Sequence, residues 1–200
     1  MQYADTLVDN SQNVEFLEQH EFAIQTYSGI QFRPKHVSIE MFNPIDIAHG
    51  LSHICRFSGQ SKQFYSVAEH CVLVSKALKK LEPKNYKLQL AGLLHDGTEA
   101  YLLDIPSPFK SMYKGYKELE IKCEKVMAKA FGIVFPFDPM IKAVDKAILL
   151  DEHMQLMRRQ FHPDKVDSSV LPLGIKLKCW GPKKAKKEWL NQFYELKSKC

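Results

Sequence analysis

The sequence predicts a mostly α-helical bundle, on three observations. Helix-start signals recur ahead of apolar stretches, the apolar residues behind them repeat at three- and four-residue spacing, and β-prone pieces are confined to the ends of the chain. The first start is Asn43-Pro44, a cap followed by the proline that tolerates the first helical position, with Ile45, Ala48, Leu51 and Cys55 behind it. Ser66 and Glu69 form the pattern of a capping box, in which the serine accepts from an orphan N–H and the glutamate reaches back. The helix they open carries Val67, Cys71, Val74 and Leu78 on one face. A third helix is expected from about Asn85 through Leu88, Ala91 and Leu94, and a fourth from Tyr113 to Phe131, stopped by Gly132. Asp138-Pro139 repeats the cap-plus-proline signal and opens a long helix through Ile141, Val144, Ile148 and Leu156. Gly181-Pro182 precedes a last helix bearing Trp189 and Phe193. Ser28-Gly29 lies between short β-prone pieces in 23–33, and Gly174 to Trp180 alternates weakly, so a small hairpin or strand pair is expected from the ends. The segment before His20 reads as an unstructured arm or a short helix.

With 200 residues the chain is long enough to form one domain, 1–200, with its core in about 40–162, and to bury roughly 70% of its unfolded surface without disulfides. No stretch approaches the ~20 apolar residues of a membrane span. The start Met1-Gln2-Tyr3-Ala4-Asp5 does not read as a secretory leader. The five cysteines are scattered, odd in number and without a CxxC pair, which suits a reducing compartment and argues against a zinc-finger module. A cytoplasmic protein is expected. The net charge of +5 is concentrated late, at Lys183, Lys184, Lys186 and Lys187, but no aromatic residues alternate with these lysines. They read as a solvated helix face rather than a nucleic-acid platform.

Four residues at informative positions point to a metal. His70 lies between Val67 and Val74 at spacings of three and four, and therefore faces inward. Asp145 falls between Ile141 and Ile148 in the same way. His95 and Asp96 close the apolar stretch 90–94. Singly, each has a plainer explanation: a hydrogen-bonded core histidine, an interior aspartate paired with Lys142, a helix-end residue before Gly97. Together, buried imidazoles and carboxylates converging from different helices need partners, which a divalent cation would supply, and two of each suit a first-row metal such as Mn, Fe, Co, Ni or Zn.

The order His70 … His95-Asp96 … Asp145 resembles the H…HD…D signature of the HD-domain phosphohydrolases. Residues 95–99, HDGTE, resemble the HDxxE form of that motif. The longer run LLHDGTEAYLLDIPSPFK (93–110) is similar to the 5′-deoxynucleotidase branch, and IAHGLSHICRFSG (47–59) with FYSVAEH (64–70) is similar to phage-encoded members, including dATP triphosphohydrolases. The resemblance covers roughly residues 22–160 and implies an HD-domain helical bundle.

It also implies roles. His70, His95, Asp96 and Asp145 would hold one catalytic divalent transition metal, and Glu99, one helical turn past Asp96, would serve as general acid or base. Arg56 would bind the substrate phosphate with its planar fork, Lys110 would be a second phosphate contact, and Asp104 would accept from the sugar 3′-hydroxyl. Phe57 stands where the bacterial nucleotidase pattern has tryptophan, and would pack on sugar or base with looser selection against a 2′-hydroxyl. Gln60 is a second departure, at a position where related phage sequences often carry histidine. His49, His53 and His153 carry no assigned role, His153 reading as structural.

The expected activity is hydrolysis of a deoxynucleoside triphosphate of the dATP type to deoxynucleoside and triphosphate, with Lys62, Lys110 and Lys114 neutralising the tail and Mg accompanying it. The alternatives are a 5′-deoxynucleotidase acting on monophosphates, and an idle HD scaffold that binds nucleotide or nucleic acid. A small-molecule deoxynucleotide is the expected partner, with no membrane and no nucleic acid. The resemblance further implies self-association into dimers or larger rings and, for a phage-encoded chain, the host cytoplasm.

Overall fold

The computed structural model describes residues 23–159 and 169–200, so the segment before His20 and the end of the expected core at 160–162 lie outside the described residues. The chain enters through an antiparallel pair, β1 (Ile24–Gln25) and β2 (Gln31–Phe32), with Ile24 opposite Phe32. Its turn is tied down: Gly29 adopts φ +90°, and both the N–H and the hydroxyl of Ser28 donate to Asp46, each at 2.7 Å. Asp46 sits in α1 (Pro44–His53), whose Asn43 cap accepts from Ile45 N–H at 2.9 Å. The buried stripe of α1 is Ile47, Ala48 and Leu51; Ile45 is exposed and Cys55 lies past the helix end.

Next come α2 (Val67–Leu81) and α3 (Tyr86–Leu94), followed by two single turns, α4 (Glu99–Leu102) and α5 (Ser107–Lys110). Then come α6 (Lys114–Phe131), α7 (Pro139–Leu156) and α8 (Pro182–Lys197). In α3 every residue from Leu88 to Leu94 is buried, Gln89 among them, and the helix lies at the centre of the bundle between α2 and α8. Gly50 sets the approach of α1 to α4, because a Cβ there would lie 2.8 Å from Ala100 Cβ and 2.9 Å from its carbonyl oxygen. Gly132 ends α6 in the left-handed conformation. The helices share one core, and Tyr65, Leu156 and Leu177 form a smaller apolar cluster. No helix among the described residues is long and apolar enough to cross a membrane.

Two expectations are corrected. Ser66 does cap α2, accepting from Glu69 N–H at 3.2 Å, but the Glu69 carboxylate does not reach back. It accepts instead from the N–H groups of Lys178, Cys179 and Trp180 at 2.8, 3.0 and 2.6 Å. Residues 174–180 accordingly form no strand. This extended segment gives its backbone donors to side chains: Asp151 accepts from Leu173, Gly174 and Ile175, and Gln155 both accepts from Leu177 and donates to the Ile175 carbonyl.

Candidate metal centre

The predicted ligands come together from three helices. His70 is fully buried one turn into α2, Asp145 lies on α7, and His95-Asp96 form the turn that ends α3, with Gly97 N–H closing on the Leu94 carbonyl at 2.8 Å. His70 Nε2 stands 3.1 Å from Asp145 Oδ1, 3.3 Å from His95 Nε2 and 3.6 Å from Asp96 Oδ2; His95 Nε2 is 3.3 Å from Asp96 Oδ1. A cation bound at about 2.1 Å holds neighbouring donors about 3.0 Å apart in an octahedral arrangement and about 3.4 Å apart in a tetrahedral one. His70, His95 and Asp145 each offer one donor atom within 4.8 Å of the other two, close enough to share one ion, while Asp96 approaches His70 with Oδ2 and His95 with Oδ1.

The other ring nitrogens explain the orientation. His95 Nδ1 is 2.8 Å from the Gly92 carbonyl oxygen, a partner that can only accept, so this nitrogen carries the proton and Nε2 presents a lone pair. His70 Nδ1 is 2.6 Å from Glu152 Oε1, which leaves His70 Nε2 for the same point. Two such lone pairs beside two carboxylates call for a positive charge. A proton can serve: although burial and Arg56 oppose it, Glu152 and hydrogen bonds to Asp145 and Glu152 push the His70 imidazolium up to about 10. Burial opposes ionisation of Asp145, but the hydrogen bond and charge of His70 hold it well below the usual carboxylate range. The donor set and its spacing fit a borderline divalent metal equally well. Cys71, His95 and Asp96 form an overlapping group, but burial pushes the Cys71 thiol well up, and the thiolate is the form that binds metal.

Glu99 opens α4 and faces the cluster. Its Oε1 lies 3.5 Å from Lys110 Nζ, while the buried Oε2 accepts no hydrogen bond among the described residues. Burial, with Asp96 and Asp104 nearby, raises its carboxyl well above the ordinary range.

A cavity of about 410 Å³ beside the cluster is lined by Arg56, Phe57, Asp104 and Lys110 together with Asp96, Glu99 and Asp145. Backbone strain shapes two of its edges. Phe57 (φ 57°) and Ser58 (φ 51°) are left-handed without being glycine, and so is Leu103 (φ 71°), just before Asp104. Tyr116 holds the latter turn by donating to the carbonyls of Leu102 and Leu103. Burial raises the Asp104 carboxyl, against the pull of Arg56. A larger cavity, about 880 Å³, opens on the other side of Asp96, Glu99, Lys110 and Asp145 and is walled by Glu120, Glu124, Phe135 and Phe137.

Lys62 is not brought to the cluster. It is exposed in a separate cleft with Arg158 and Arg159, because its backbone N–H donates to the Leu156 carbonyl at the end of α7. His49 stacks on Tyr27 at 3.9 Å, beside the hairpin.

Sequence reasoning missed Glu152. This fully buried residue accepts from His70, from Tyr65 OH at 2.8 Å and from Arg56 Nε at 3.2 Å. The signal was there: Glu152 lies seven residues after Asp145, two turns along one helical face.

No protein-family model matches the chain. It is 37% identical over 133 residues to the uncharacterized protein YfdR of Escherichia coli (strain K12), which covers 66% of this chain and 71% of that one. It is 38% identical over 106 residues to the uncharacterized protein RCAP_rcc00048 of Rhodobacter capsulatus, a relative of which the chain spans about half, 54%. The chain belongs to the family of the Escherichia coli protein YfdR.

Proposed function

We propose that this protein is a metal-dependent phosphohydrolase that cuts the bond between phosphorus and the 5′-oxygen of a deoxynucleotide. The observation that carries the reading is the convergence of His70, His95 and Asp145, with Asp96 at 3.3 Å from His95 and 3.6 Å from His70, beside a Glu99 oxygen that has no hydrogen-bond partner among the described residues. The resemblance of residues 47–110 to HD-domain nucleotidases supplies the reaction class.

His70, His95, Asp96 and Asp145 would hold a divalent cation, which would supply a Lewis acid and bring the pKa of a water toward neutrality. The chain's own residues do the rest. Arg56 and Lys110 neutralise and orient the phosphate oxygens, and Asp104 accepts from the sugar 3′-hydroxyl. Glu99 handles the proton: burial, with Asp96 and Asp104 nearby, raises its carboxyl and favours the protonated form, which can pass a proton to the departing 5′-oxygen. The phenyl ring of Phe57 packs against sugar or base on the cavity wall.

The triphosphate is the first reading of the substrate, on the likeness of residues 47–70 to phage-encoded triphosphohydrolases. Deoxynucleoside monophosphates are the second, favoured by one observation: Lys62, expected to neutralise the tail, lines neither cavity at the cluster. A panel of deoxynucleoside mono- and triphosphates with Mn or Co, read by phosphorus NMR, tests both. Intact tripolyphosphate is expected from the triphosphate. Pyrophosphate, or stepwise orthophosphate, rules out attack next to the sugar, and orthophosphate from monophosphates with triphosphates inert selects the second reading.

A further inference from the structure

Glu152 is fully buried on α7 and has no place in the motif that suggests the metal site. Each of its two carboxylate oxygens is engaged. Oε1 lies 2.6 Å from His70 Nδ1 and accepts from Tyr65 OH at 2.8 Å, while Oε2 accepts from Arg56 Nε at 3.2 Å and forms an ion pair with Arg56 Nη2 at 3.2 Å. Arg56 NH1 then reaches Asp96 Oδ2 at 3.5 Å. One carboxylate thus ties a candidate metal ligand to the candidate phosphate-binding arginine.

We propose that Glu152 is a positioning residue for both halves of the site: it fixes the His70 ring with Nε2 toward the metal and holds the Arg56 guanidinium against the cluster. This rests on the metal reading above and deepens it. An imidazole free to flip could offer Nδ1 or turn away; a short hydrogen bond from Nδ1–H to a buried carboxylate removes both options and makes Nε2 a stronger donor. The same carboxylate keeps Arg56 beside the cluster, although the turn carrying it is left-handed at Phe57 and Ser58. Tyr65 fills the remaining acceptor capacity, so the glutamate has little freedom to turn.

The test uses the full chain and the variant Glu152→Gln, with Co as the probe metal. A neutral amide cannot serve both partners, since its NH2 would face either the Nδ1–H or the guanidinium. Metal affinity, measured by competition with a chromophoric chelator, is expected to weaken by about 10–100-fold. The visible Co spectrum should change, and inorganic phosphate should bind the loaded variant more weakly. A purely structural role would lower thermal stability while leaving the affinity and spectrum of the folded protein as they were, and that result overturns the proposal. The metal-loaded wild-type protein supplies a measurement that needs no variant. An exchange-protected, far-downfield proton on His70 Nδ1 is expected by nitrogen-edited NMR, and a His70 protonated on Nε2 overturns the proposal. Wild-type protein that takes up no metal rejects the metal reading itself, whereas tight binding unchanged in Glu152→Gln rejects only the role of Glu152.

Discussion

His70 Nε2 and His95 Nε2 rest 3.3 Å apart beside two carboxylates, a grouping that calls for a positive charge, supplied either by a proton on His70 or by a bound cation. At the scale of single residues, that juxtaposition separates the site from the plainer explanations each residue has alone. Glu99 adds a buried oxygen with no hydrogen-bond partner among the described residues, in a position that binding a ligand would complete. Replacing it by glutamine should leave metal binding intact and slow hydrolysis at saturating substrate by about 10²–10⁴-fold, since only proton handling is lost. Isothermal titration with metal and a phosphate-release assay read the two effects separately. An unchanged rate would remove Glu99 from the mechanism.

At the scale of elements, the starts and stops of the helices were legible because caps are local chemistry. Asn43, Ser66, Asn85 and Asp138 each accept from a backbone N–H of the first turn, and Gly132 ends α6 as a left-handed residue. The segment 174–180 was not legible as it is. Weak alternation identifies extended backbone, but not whether its donors go to a neighbouring strand or to side chains on helices, from Asp151 and Gln155 back to Glu69. Glu69 was misread for the same reason: a glutamate three residues after a capping serine looks local, yet its oxygens hold Lys178, Cys179 and Trp180. Glu69→Ala leaves those three N–H groups without an acceptor and should lower stability by at least about 2 kcal/mol. Urea denaturation measures this, and a loss within the ~0.5 kcal/mol typical of surface changes would contradict it. Glu152 escaped for a related reason. Residues 93–110 carry His95, Asp96, Glu99, Asp104 and Lys110 in one continuous run, whereas a residue that acts on His70 from 82 positions away leaves only a helical-face signal.

At the scale of the whole molecule, the cluster is the waist between two cavities that share Asp96, Glu99, Lys110 and Asp145. Collecting so many ionisable groups in one interior ties stability to pH. His70 is raised from an ordinary 6.5 to about 10, so its contribution is fully present below about pH 6.5 and is lost as pH rises through about 10. Glu99, raised by burial, Asp96 and Asp104, likewise favours the folded state only while protonated. Against the cost of burial, Asp145 is lowered by His70, and Glu152 by Arg56 and His70. Their contributions are present above the ordinary carboxylate range and are lost as pH falls below it, through their depressed folded-state pKa values. Chelator-treated protein should therefore lose melting temperature between about pH 6.5 and 10, and added metal should restore it, the cation taking the place of the proton on His70. A flat alkaline limb in the chelator-treated protein would contradict this coupling.

The central claim is that His70, His95, Asp96 and Asp145 form one metal centre, and metal content tests it most directly. Wild-type protein and Asp96→Ala, both shown to be folded by circular dichroism, are dialysed against Co or Mn and assayed for bound metal by elemental analysis. One ion per wild-type chain is expected, and the variant, with one of four donors gone, should retain little metal and release no phosphate. Stoichiometric metal in folded Asp96→Ala, or none in the wild type, would contradict the account.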